Sequence, residues 1–101
     1  MSKQETTKEQ MTAYLEKFQQ WQRMAQGIID TTVSMSHSDG SQVTAIHLHL
    51  YPFDEEGNML MDRNGKYVCH TFSVFNWTTP DSNDYTMKKA LSTLKQLKVI
   101  C

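Results

Sequence analysis

The sequence predicts an α+β domain of two layers: a helix, an antiparallel meander of three or four strands and a second helix, with both helices on one face of the sheet. Two changes of hydrophobic period and a set of short turns predict it. Apolar residues recur at three-and-four spacing from Met11 to Ile28, at alternate positions through the middle of the chain, and at helical spacing again from Met87 onward. The clusters of Gly, Asp, Asn and Ser between the alternating stretches are short, and short connections favour antiparallel neighbours. At 101 residues, 39% apolar and 10% aromatic, the chain is one domain's worth, residues 1–101, with enough apolar surface to offset the entropy of ordering.

In the first helix Met11, Tyr14, Leu15, Phe18, Trp21, Ala25 and Ile28 form one apolar face. Ser2 with Glu5 and Thr6 with Glu9 each have the Ser/Thr-x-x-Glu arrangement of an N-terminal capping box. Gly27 supplies the stop, with Ile28 folding back on the last turn. Ile29, Val33 and Met35 then alternate with Asp30, Thr32 and Ser34, as in a half-buried strand, and residues 37–41 form a turn. From Val43 to Phe53 a longer strand turns Ile46, Leu48 and Leu50 to one face and His47, His49 and Tyr51 to the other. A second turn covers residues 54–58. Asn64-Gly65 predicts a two-residue hairpin, which favours a short strand over residues 59–63 rather than an irregular tip. Lys66 to Asn76 reads as a further strand, with Val68, Phe72 and Val74 inward and Tyr67, Cys69, Thr71 and Ser73 outward. After an N-capping loop at residues 78–84, Met87, Ala90, Leu91, Leu94 and Leu97 continue as a helix to the C-terminus.

A net charge of −1 gives no general drive toward nucleic acid or an anionic membrane. No apolar run reaches the length of a membrane span, and the first ten residues lack the apolar core of a secretory signal, so a soluble, intracellular, cytoplasmic protein is expected. Cys69 and Cys101 fall into no zinc-binding or redox spacing and are expected as free thiols. The four glycines each serve a turn or cap, leaving none for a phosphate-cradling loop. No glycine-rich elbow or oxyanion-forming turn accompanies Cys69 as a nucleophile. The expectation is therefore a protein that is not an enzyme and uses no cofactor.

His47 and His49 share a strand face and could approach one metal ion, but a third ligand must converge with them. His70 is the obvious candidate, and the pleat sends it to the opposite face; with an Asn64-Gly65 hairpin it would also pair near Met59. No metal is expected, and a metal-binding sheet built on His47 and His49 stands as an alternative.

Helix, three strands and helix, with Met87-Lys88-Lys89-Ala90 in the final helix, resembles the double-stranded RNA-binding domain. The resemblance covers the element order of most of the chain and two specific residues, and implies that Lys88 and Lys89 would meet phosphates across a groove. The chain departs from that family in its longer first helix, its acidic hairpin and the lack of a counterpart to the family's Gly-Pro-x-His loop. Nucleic acid therefore has less support than protein as a partner.

The outward residues His47, His49, Tyr51, Tyr67, Thr71 and Phe75 mix aromatic rings with small hydroxyls, and Asp54, Glu55, Glu56 and Asp62 make the neighbouring hairpin acidic. That is the composition of a protein-contact surface. The expected function is a small interaction protein, an accessory or inhibitor factor that binds a partner protein by this face, by the acidic hairpin, or by both. Its rival within the same class is a homodimer formed through an exposed strand edge.

Overall fold

The computed structural model describes residues 5–38, 40 and 42–100. The elements run α1 (Lys8–Met24), β1 (Asp30–His37), β2 (Val43–Tyr51), β3 (His70–Phe75) and α2 (Pro80–Gln96). The three strands form one antiparallel sheet in the order β1-β2-β3. Inward side chains of β2 and β3 (Ile46, Leu48, Leu50 and Val74) join Met11, Tyr14, Phe18 and Trp21 of α1 and Ala90 and Leu94 of α2 in one core. Burying these apolar surfaces supplies the main driving force for folding. The architecture is the expected two-layer α+β arrangement.

The cross-strand register is fixed by that core, since a slip of one residue would expose every inward side chain. Ile46 lies between Met35 and Val74, Leu48 between Val33 and Phe72, and Leu50 between Thr31 and His70. His70 thus shares the helix-covered face with Leu50, as the pleat requires. Its partner is not Met59, which corrects the expected register.

The error traces to residues 54–69. No fourth strand forms there; two isolated pairings, Phe53 with Met59 and Met61 with Tyr67, hold a projecting arm, and β3 begins at His70 rather than Lys66. The arm has two turns of the same design, Asp54 to Asn58 and Asp62 to Lys66. In the first, Asp54 Oδ1 accepts the main-chain N–H groups of Glu56 and Asn58 at 2.9 and 3.0 Å. In the second, Asp62 Oδ1 accepts those of Asn64 and Lys66 at 2.8 and 3.0 Å. Gly57 and Gly65 take the positive φ that closes each turn (+86° and +77°), whereas Asn64 does not. Asn64-Gly65 is therefore part of a five-residue Asp-x-x-Gly-x loop, not a two-residue hairpin.

Helix α1 is capped one residue later than expected. Thr7 accepts from the Gln10 N–H, and the Gln10 side chain accepts from the Thr7 N–H. Thr6 is unavailable because it is buried, with its hydroxyl donating to the Thr78 carbonyl at 2.9 Å. The expected cap at Ser2 lies outside the described residues. At the other end Ile29 enters the core and Ile28 remains 40% exposed, so the fold-back residue is also shifted by one. Helix α2 begins at Thr79, which accepts from the Ser82 N–H, with Pro80 in its first turn. It ends at Gln96 in a Schellman turn: Lys98 takes φ +65°, and the Val99 N–H reaches the Leu94 carbonyl at 2.9 Å. Val99 is thereby returned to the core.

A polar latch joins both helices to β3. Asn83, 1% exposed, accepts the Phe75 N–H at 3.1 Å and donates to the Phe75 carbonyl at 2.8 Å and to the Thr6 hydroxyl at 2.7 Å. Its carboxamide imitates a neighbouring strand and closes that part of the sheet edge. Among the described residues no buried side-chain nitrogen or oxygen lacks a partner.

Candidate interaction face

Alternation puts Asp30, Thr32, Ser34 and Ser36 of β1, Ala45, His47, His49 and Tyr51 of β2, and Thr71, Ser73 and Phe75 of β3 on the face away from the helices. Among these strand residues Asp30 carries the one full charge, and there is no lysine or arginine. Directly opposed and diagonal side chains hydrogen-bond across the sheet instead of being covered. His47 Nδ1 and the Ser73 hydroxyl are 2.7 Å apart, and His47 Nε2 lies 3.3 Å from the Ser36 hydroxyl. His49 Nδ1 and the Thr71 hydroxyl are 3.1 Å apart, and Thr71 also contacts Cys69 Sγ at 3.5 Å. Because a hydroxyl both donates and accepts, His47 keeps its two contacts in either tautomer and when protonated. Contact with Cys69 holds the Tyr51 phenol above its ordinary pKa.

Over this network the rings form a continuous row. His47 and His49 stack with centroids 6.3 Å apart. Phe75 meets His47 edge-on at 6.3 Å and packs against Trp77 at 4.6 Å with the rings tilted by 30°. Trp77, two residues beyond the end of β3, is 64% exposed. At the other end Tyr51 leads through Cys69 to the arm, where the paired Met61 and Tyr67 are 52% and 50% exposed. The band thus crosses the sheet from the α2 loop to the arm. Sequence reasoning found His47, His49, Tyr51, Tyr67, Thr71 and Phe75 but missed Trp77 and Met61. Trp77 falls beyond the alternating stretch, and the signal available for it was the Phe75-x-Trp77 spacing, which continues the outward set.

The other sequence-derived candidates separate from this band. Asp54 and Asp62 spend one carboxylate oxygen each on closing their turns, and Asp62 shares its turn with Arg63 and Lys66. Glu55 and Glu56 are exposed at the tip of the first turn. Lys88 and Lys89 lie midway along α2, past two turns that begin with Asp81 and Asp84, and Lys89 Nζ sits 5.0 Å from the Tyr85 ring centroid. His70 is on the covered face and cannot complete a site with His47 and His49. Among the described residues no three His, Cys, Asp or Glu side chains come together to hold a metal ion. Cys69 is exposed and free, while Cys101 lies outside the described residues. Among the described residues no helix is long and apolar enough to cross a membrane. Comparison with models of known families, with curated proteins and with solved structures finds no match.

Proposed function

We propose that this chain is a non-enzymatic interaction protein whose open sheet face docks a partner protein. One observation carries the reading: a row of half-buried rings, Phe75, His47 and His49, with exposed Trp77 at one end, lies on an uncovered sheet almost free of charge, and the arm beside it exposes Met61 and Tyr67. Protein interfaces concentrate their energy on such aromatic anchors, surrounded by polar groups that exclude water. Single-stranded nucleic acid also stacks on aromatic rings, but its binders set them in a basic groove. Here the strand residues around the rings include Asp30 and no lysine or arginine. Glu55 and Glu56 form a second contact zone beside the band, suited to a basic region on the same partner, and an accessory or inhibitor factor is the role such a surface serves.

Affinity capture followed by mass spectrometry identifies the partner, and calorimetry on the purified pair tests the face. Trp77→Ala should raise the dissociation constant about thirtyfold, as expected for an anchor contributing about 2 kcal/mol. Unchanged affinity in both Trp77→Ala and Tyr67→Ala would refute the proposal. The element order supports a second reading, double-stranded RNA binding through Lys88 and Lys89. Filter binding that weakens steeply with salt and with Lys88→Glu would favour it instead.

A further inference from the structure

Two helices cover three strands, and the cover is incomplete at the end of the sheet where β1 passes into β2. There a cavity of about 370 Å³ opens between α1 and the start of β2. Lys8, Met11, Thr12 and Leu15 stand at i, i+3, i+4 and i+7, so one face of α1 supplies its first wall. Val43 and Ile46 of β2 supply the second, with Gln42 of the preceding turn and Asn76, the residue after β3, at the margin. Met11 and Ile46 belong to the core and Leu15 and Val43 pack against it, so the apolar walls are residues that the fold already holds in place. The volume is at the small end of the range for small-molecule sites, roughly 300 to 1,000 Å³.

The polar groups at the margin share a property. Lys8 carries the one charge among the described lining residues, and an ammonium can only donate. Neither that ammonium nor the carboxamide of Gln42 or Asn76 hydrogen-bonds to another described residue, whereas the Thr12 hydroxyl is committed to the Lys8 carbonyl at 3.0 Å. The main chain of Asn76 is tied on both sides, its N–H to the Thr44 carbonyl at 3.0 Å and its C=O to the Thr6 N–H at 3.2 Å, so its unpaired carboxamide is carried on a fixed backbone. We propose that the cavity binds a small amphipathic carboxylic acid of about ten to twelve non-hydrogen atoms, with its chain against the four apolar residues and its carboxylate on Lys8 and Asn76. The donor-only ammonium calls for an acceptor, and its single charge suits a monoanion rather than a phosphate dianion. A neutral apolar molecule would meet the same walls and leave the charged end unmatched. The site lies on the helix-covered side of β2, away from the ring-bearing face, and does not depend on the docking reading.

Octanoate is the probe, titrated into the whole chain and followed by amide chemical shifts and calorimetry. Saturable one-to-one binding is expected, with a dissociation constant of about 1 mM or lower and the shifts centred on Met11, Leu15, Val43, Ile46 and Asn76. Octan-1-ol keeps the chain and lacks the charge, and should bind about fivefold more weakly. Lys8→Glu should weaken octanoate about tenfold and leave octan-1-ol unchanged. Val43→Trp fills the cavity from a strand position and should abolish binding of both. If Val43→Trp unfolds, Lys8→Glu, a change at an exposed helix position, decides the matter. Trp77→Ala should leave octanoate binding as it is, which separates this site from the open face. The absence of saturable shifts up to about 10 mM octanoate overturns the proposal. Equal affinity for octanoate and octan-1-ol, or octanoate binding indifferent to Lys8→Glu, overturns it too, because the acid would then not be what the cavity recognises. Shifts centred on His47 and Trp77 would do the same by placing the ligand on the other side of the sheet.

Discussion

β2 contributes equally to two surfaces that obey different rules. Ile46, Leu48 and Leu50 are almost completely buried beneath the helices, while His47, His49 and Tyr51, interleaved with them, remain on an uncovered face. Inward, stability comes from apolar area removed from water, and each position is confined by close packing. Outward, the imidazoles are held by hydroxyls of the neighbouring strands, contacts that orient them without removing them from solvent. The two sets are one residue apart, so the docking role proposed for the open face can be tested apart from stability, residue by residue. Substitutions on the covered face should change folding, and those on the open face should change binding.

The largest effect is expected at Leu48, which is fully buried between Val33 and Phe72. Leu48→Ala should cost about 3 to 4 kcal/mol in urea unfolding, combining lost burial with the residual cavity. Asn83→Ala should come next, at about 2 to 3 kcal/mol, since it strands the Phe75 N–H and C=O and removes a partner of Thr6. Asn83→Asp keeps the acceptor for the Phe75 N–H but sets a buried carboxylate oxygen against the Phe75 carbonyl, and should cost at least as much as Asn83→Ala. A smaller loss for Asn83→Asp than for Asn83→Ala would mean that the bond accepted from the Phe75 N–H carries most of the effect.

The covered layer should also show an alkaline limit. Burial, then the hydrogen bond that Tyr14 donates to Asp84 at 2.8 Å, then the charges of Asp84 and Asp81, push the Tyr14 phenol up to about 12 from near 10. The folded chain keeps a proton that the unfolded chain loses. This contribution is therefore complete below pH 10 and falls away as the pH rises through about 12, a loss on the order of 2 kcal/mol. Tyr14→Phe should flatten that slope while leaving the open face and its ligand affinity unchanged. Urea titrations at several pH values between 9 and 12 check the expectation.

Alternation made the covered and open faces legible in the sequence. Ile46, Leu48 and Leu50 against His47, His49 and Tyr51 are separated by period alone, and the same pleat argument placed His70 on the helix side. The arm was not legible in detail. Asn64-Gly65 favours a two-residue turn by local preference, but the Asp62 carboxylate collects two main-chain N–H groups and selects a longer loop. That choice shifts the start of β3 and the pairing of His70. The Thr6–Asn83 latch was equally hidden, since its partners are 77 residues apart and no periodic pattern relates them. For the same reason the capping box moved from Thr6 to Thr7 once tertiary structure claimed the first threonine. The extension of the open face to Trp77 was missed because the residue stands outside the strand that orients it.

The smallest stability effect should be at His47, and it is the sharpest test of the comparison because His47 adjoins Leu48. His47→Ala removes contacts with the Ser73 and Ser36 hydroxyls at 2.7 and 3.3 Å and the edge contact with Phe75, all on a face that water already reaches. Water can replace the lost partners of both hydroxyls, so no buried polar group is stranded, and the cost in urea unfolding should be about 0.5 kcal/mol. In the same experiment Leu48→Ala should cost several times more. The measurement should be repeated across protein concentration, because a cost at His47 that grew toward the Leu48 value only at high concentration would show the open face being covered by association. A large, concentration-independent cost would instead mean that the hydroxyl–imidazole network helps hold the three strands together, and the division between a stabilising face and a recognition face would then fail at its centre.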